Sequence, residues 1–248
     1  MFRRVLLVVL VSGSLSLTAG AAPASLGSAF AETFTAFAPL FALHQSYAGY
    51  LLLGSEVAVP PGLDGVCDVF VGALPDLVAE FRVQSGSCVL EALSVVGGLR
   101  EKSLEFCQSY SDQIETIARM EDVDLVYFSQ AAESGFFKAI MVLNESLQEA
   151  FGLGLNCFES AEGRWRFGAA FVTRTLLCQE TVERIDVSLK AILLGSEETP
   201  APPKDLPLSI REASESLAAL SGKPLNAEEA GEAKALAERI HVFLLEDR

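Results

Sequence analysis

FAETFTAFAPLFALHQSYAGYL, residues 30–51, decides the fold. Phe30, Phe34, Phe37, Phe41, His44, Ala48 and Leu51 follow one another at steps of four and three, which places them on one stripe of an α-helix. A strand would need strict alternation, and no convincing alternating run occurs anywhere in the chain. Ser28 suits the N-cap. Pro39 should kink the helix, because it lacks a backbone donor and crowds the preceding turn, and the end is expected near Gly54, before the loop at Pro60-Pro61-Gly62.

The same periodicity extends outward from this helix. A second helix is expected from about Asp64 to Gln84, with Val66, Phe70, Leu74, Leu77 and Phe81 inward, Pro75 as a further kink and Gly86 as its stop. The third runs from about Ser87 to Ala118 on Val89, Leu93, Val96, Leu104, Cys107, Ile114 and Ile117, with Gly97-Gly98 as a point of bending or breakage. A fourth starts behind Asp122 or Asp124 and carries Leu125, Phe128, Ala132, Phe136, Ile140, Leu143, Leu147 and Phe151. The fifth spans roughly Glu162 to Leu194, with Phe171, Cys178, Val182, Ile185, Leu189 and Ile192 on its stripe. The expected fold class is therefore all-α: an up-and-down bundle of about five helices with a C-terminal helical hairpin.

Prolines set the boundaries. Pro200, Pro202, Pro203 and Pro207 make residues 195–208 a linker that no helix crosses. Beyond it lie a short helix from Ser209 to Leu220 and a longer one after Asn226, where Glu229 three residues on forms a capping box and Leu225 with Ala230 a hydrophobic staple. Their apolar positions, Ile210, Leu217, Leu220, Leu236, Ile240 and Phe243, are too few to stand alone, so the hairpin of residues 209–248 should dock on the main bundle of residues 22–194. No internal repeat is present.

At the other end, Arg3 and Arg4, the apolar run from Val5 to Leu10 and the small residues Ala19-Gly20-Ala21 read as a signal peptide over residues 1–21. Export to a secreted or periplasmic location makes disulfides the expected fate of the five cysteines. Cys88 and Cys157 flank turns at one end of an up-and-down bundle. Cys67 lies 21 residues before Cys88, Cys107 19 residues after it, and Cys178 21 residues after Cys157. At about 1.5 Å per residue those three share a level roughly 30 Å from the first pair. Since a bridge needs Cα atoms within about 7 Å, the expected pairs are Cys88–Cys157 and Cys67–Cys107, leaving Cys178 as a free, apolar thiol. A Cys₃His zinc set of Cys67, Cys107, Cys178 and His44 is the weaker alternative, because no close Cys-x-x-Cys pair supports it.

Charge narrows the class of partner. The chain holds 33 acidic and 18 basic residues, a net charge of -15, and no Lys or Arg between Arg4 and Arg82. Such a chain repels nucleic acid and anionic lipid and favours a cationic partner or none. Residues 33–55 contain no charged side chain and are long enough to span a bilayer, but His44-Gln45-Ser46 at their centre and Pro39 favour a buried core helix, so no membrane insertion of the mature chain is expected.

Motifs for catalysis are sparse. Glu238-x-x-His241 has the spacing of half a di-iron site, yet Phe41 precedes His44 where the second half would need Glu. No nucleophile elbow, Walker loop, zinc helix or haem motif occurs, and Gly152-x-Gly154 meets Cys157 where a dinucleotide loop needs glycine. No cofactor or metal is expected. Arg164-Trp165-Arg166, with the single tryptophan, is the candidate partner-binding cluster, since arginine and tryptophan are enriched at binding hot spots. Its competing reading puts Trp165 in the core and both arginines on Glu159 and Glu162. Asn144-Glu145-Ser146 is a glycosylation sequon inside a helix. The functional expectation is a non-catalytic exported binding protein of unknown partner, the alternative being an exported enzyme or a small-ligand or metal carrier with its site inside the bundle.

Overall fold

The computed structural model describes residues 21–53, 65–84, 88–118, 136–194 and 202–246. Within them the chain is α-helical: α1 (Ala21–Leu53), α2 (Val66–Arg82), α3 (Cys88–Ala118), α4 (Phe136–Asn156), α5 (Ala161–Cys178), α6 (Val187–Leu194), α7 (Leu208–Ala219) and α8 (Ala227–Glu246). Residues 1–20 of the expected signal peptide, the start expected for the fourth helix and residues 195–201 of the proline-rich linker fall outside the described residues.

Two apolar cores share a spine made of α1 and α5. In the first, α1 packs against α2, α4 and α5, while α3 closes on α2 and α4. Phe30 is its hub, with its ring 5.6 Å from Phe81, 5.4 Å from Phe151 and 5.8 Å from Phe167, all edge-to-face. Each such pair adds about 0.5–1.5 kcal/mol beyond the burial itself. Phe30 meets Phe81 whereas Phe37 meets Phe70, so α1 and α2 run antiparallel. Phe30 meets Phe167 whereas Phe34 meets Phe171, so α1 and α5 rise together.

The spine helices touch backbone to backbone. A Cβ placed on Gly27 would stand 2.2 Å from the Phe167 carbonyl oxygen, a contact that only glycine permits.

The second core collects Trp165, Ala169 and Leu176 of α5, Ala24 of α1, and apolar residues of α6, α7 and α8. Ile210, Leu217, Leu236 and Ile240 of the hairpin lie buried in it. The α8 cap forms as its sequence requires: Asn226 Oδ1 accepts from the Glu228 and Glu229 amides at 3.0 Å, and the Asn226 amide donates to Glu229 Oε2 at 3.1 Å.

Three local readings change. Ser28 is not a cap but an interior residue of α1, its hydroxyl donating back to the Ala24 carbonyl. Helix α3 passes unbroken through Gly97-Gly98, and its buried stripe is Val89, Ala92, Val96, Leu99, Ser103, Phe106 and Tyr110, which leaves Leu104 46% exposed. The helix expected over residues 162–194 is two helices. Gln179 turns extended, with ψ 132°, and the following segment pairs with the α7–α8 turn: the Gly222 amide donates to the Ile185 carbonyl at 2.8 Å and the Leu225 amide to Glu183 at 2.9 Å. Pro39 and Pro75 lie inside α1 and α2, as expected.

Candidate functional site

Cys67 and Cys107 are joined, with Cα atoms 6.1 Å apart, and the bridge ties the start of α2 to α3. These sulfurs are therefore unavailable as thiolates, and the described residues contain no cluster of His, Cys, Asp and Glu able to hold a metal ion. Cys157 is also disulfide-bonded. Its expected partner, Cys88, has its side chain outside the described residues. Cys178 is free and half-buried against α1. Burial pushes its thiol up and Glu32 adds to this, while Arg174 and a hydrogen bond with Thr35 oppose them, so little nucleophilic thiolate forms at neutral pH.

Arg164, Trp165 and Arg166 do not form one surface patch. Trp165 is wholly buried in the second core, and its indole N–H finds no acceptor among the described residues. Arg166 is also buried; its Nε donates to Glu162 Oε1 at 3.1 Å and its guanidinium lies 5.9 Å from the Phe243 ring centre. Arg164 stays half-exposed. The short spacing that made the three look like a hot spot places Arg164, Trp165 and Arg166 on successive faces of α5, about 100° apart.

Both histidines point inward. His44 is buried, with its ring 5.6 Å from Tyr110, in an aromatic group that includes Tyr47 and Phe106. Burial, with the neighbouring Tyr47, raises the Tyr110 hydroxyl pKa. His241 lies between α8 and α5, its Nδ1 3.3 Å from the Thr173 hydroxyl. Burial, reinforced by Arg174, lowers its pKa to about 4, so the ring is neutral at physiological pH. Glu238 faces solvent one turn away, and the Glu-x-x-His spacing brings no carboxylate and imidazole to a common point.

The concave feature that sequence reasoning missed lies where the chain leaves α5. Residues 180–183 and the first turns of α8 enclose an open cleft of about 380 Å³. Val182, Leu225, Ala227 and Ala230 supply its apolar lining, and Glu180 and Glu183 stand exposed beside it. Lys234 reaches across, its ammonium donating to the carbonyl oxygens of Gln179 and Glu180. No residue pattern announces this cleft, because it depends on the break after Cys178. A second, smaller cavity of about 160 Å³ lies between the end of α6 and α7, beside Pro202, Leu206 and Arg211.

The class that fold and site define is an all-α, disulfide-bonded protein with an N-terminal apolar helix. No family model, no curated protein and no solved structure matches the chain.

Proposed function

We propose that this chain is an exported, non-catalytic helical protein that acts by binding a polypeptide partner on its exterior. The observation that carries the reading is the inward use of the chemistry-bearing side chains: Trp165, His44 and His241 are buried and serve packing or an internal hydrogen bond with Thr173. Recognition then falls to the acidic surface, and the net charge of -15 favours a basic partner. Export is supported by the basic start, apolar run and small residues of residues 1–21 in the sequence and by the Cys67–Cys107 bridge. Pro23–Leu51 is long and apolar enough to cross a membrane, yet Phe30, Phe37, Leu40, His44 and Tyr47 are spent on contacts inside the protein, which supports a core helix.

Cross-linking in the native compartment tests this function. A defined polypeptide should be recovered, and the complex should re-form from the two purified chains. Recovery of a turnover activity, or of a small molecule retained inside the purified chain, overturns the reading in favour of an enzyme or carrier.

A further inference from the structure

The cleft between residues 180–183 and α8 combines a short apolar floor with two exposed carboxylates, a pairing that suits one kind of side chain. We infer that it receives an arginine or lysine side chain from a basic segment of the polypeptide partner, an inference that rests on the function proposed above. Long cationic side chains lay an aliphatic stem on apolar surface and keep the charged head among polar groups. Leu225, Ala227 and Ala230 give the stem its surface, while Glu180 and Glu183 give the head its counter-charge. The volume, about 380 Å³, lies at the small end of the range of about 300–1,000 Å³ in which ligands are usually held.

An anion is the natural rival, because the N-terminus of α8 and Lys234 both border the cleft. Both are already occupied. Asn226 Oδ1 accepts from the Glu228 and Glu229 amides, and its carbonyl accepts from Ala230 at 2.9 Å. Glu228 and Glu229 in the first turn add negative charge against the helix dipole. Lys234 spends two of its three donors on the Gln179 and Glu180 carbonyls, fastening the end of α5 to α8. Lys234 keeps its charge and one donor, but Glu180 and Glu183 outnumber it in the lining, so the lining is net negative and favours a cation.

The test is a titration of the ¹⁵N-labelled full mature chain with acetyl-Ala-Arg-Ala-Arg-amide at neutral pH, followed by amide chemical shifts. Saturable shifts should concentrate at residues 180–183 and 225–234. The Glu180→Gln/Glu183→Gln variant should bind at least about tenfold more weakly, and the exposed pair Glu212→Gln/Glu215→Gln on α7 should leave affinity unchanged. Absence of binding, shifts spread over the whole acidic surface, equal weakening in both variants, or equal binding of the peptide with citrulline in place of arginine each overturns the cleft assignment. A cross-linked partner that still holds the Glu180→Gln/Glu183→Gln variant leaves the binding function standing and moves its site elsewhere.

Discussion

Gly27 and His241 carry the sharpest consequences at the residue scale. Gly27→Ala would drive a methyl group to 2.2 Å from a backbone oxygen of α5, which no rotamer change relieves. The expected cost is about 3 kcal/mol in chemical denaturation. Gly97→Ala provides the opposite case: nothing stands within 4 Å of its added Cβ, so the helix preference of alanine should stabilise the fold by up to about 1 kcal/mol. A neutral outcome for Gly27→Ala would mean that α1 and α5 are not in backbone contact.

His241 sets a pH dependence whose sign follows from its depressed pKa. At pH above its unfolded value of about 6.5 the ring is neutral in both states, and its contribution is fully present. As pH falls from there towards about 4, the unfolded chain binds the proton more readily than the folded one, so stability is lost. The total is about 3 kcal/mol for this group, which is 7% exposed. Unfolding free energies measured at intervals from pH 7 to 4 should fall less steeply in His241→Gln than in the parent chain. Parallel curves would show that the ring is solvated.

At the element scale, α2 and α8 were legible from sequence, and α5 was not. Phe70, Leu74, Leu77 and Phe81 recur at steps of four and three and are all buried, because a helix packed along its whole length repeats one face. The α8 start was legible because a capping box is a local hydrogen-bond problem solved within four residues. In contrast, Val182, Ile185, Leu189 and Ile192 continue the helical spacing of α5, and what stops that helix is pairing with residues 222–225, far along the chain. The candidate cleft was illegible for the same reason. The Cys67–Cys107 bridge was legible because consecutive helices put equal residue counts at equal heights, whereas Cys178 sits on α5 beside Glu32 and Thr35.

Two predictions belong to these elements. The Cys67–Cys107 bridge closes a separation of 40 residues, and Cys67→Ala/Cys107→Ala should lose about 2–4 kcal/mol in denaturant midpoint experiments. The hairpin shares the second core with α5 and α6, so a chain cut after Lys204 should migrate as one nicked particle and separate only under denaturing conditions. Release of the C-terminal piece under native conditions would contradict the shared core.

On the scale of the whole molecule, two cores are built on one α1–α5 spine, and the chain carries a net charge of -15. Ala24 and Leu26 are fully buried only a few residues into α1. Removal of a signal peptide near Ala22 would thus keep the Ala24 and Leu26 contacts of that helix while freeing the chain from its leader. Native mass spectrometry of protein taken from its own compartment tests the account most directly. The expected result is a chain that begins near Ala22, keeps its disulfides, carries no small molecule or metal, and is recovered in part as a defined complex with a basic polypeptide. A chain still starting at Met1, or one that retains a stoichiometric small ligand or metal ion, would contradict it.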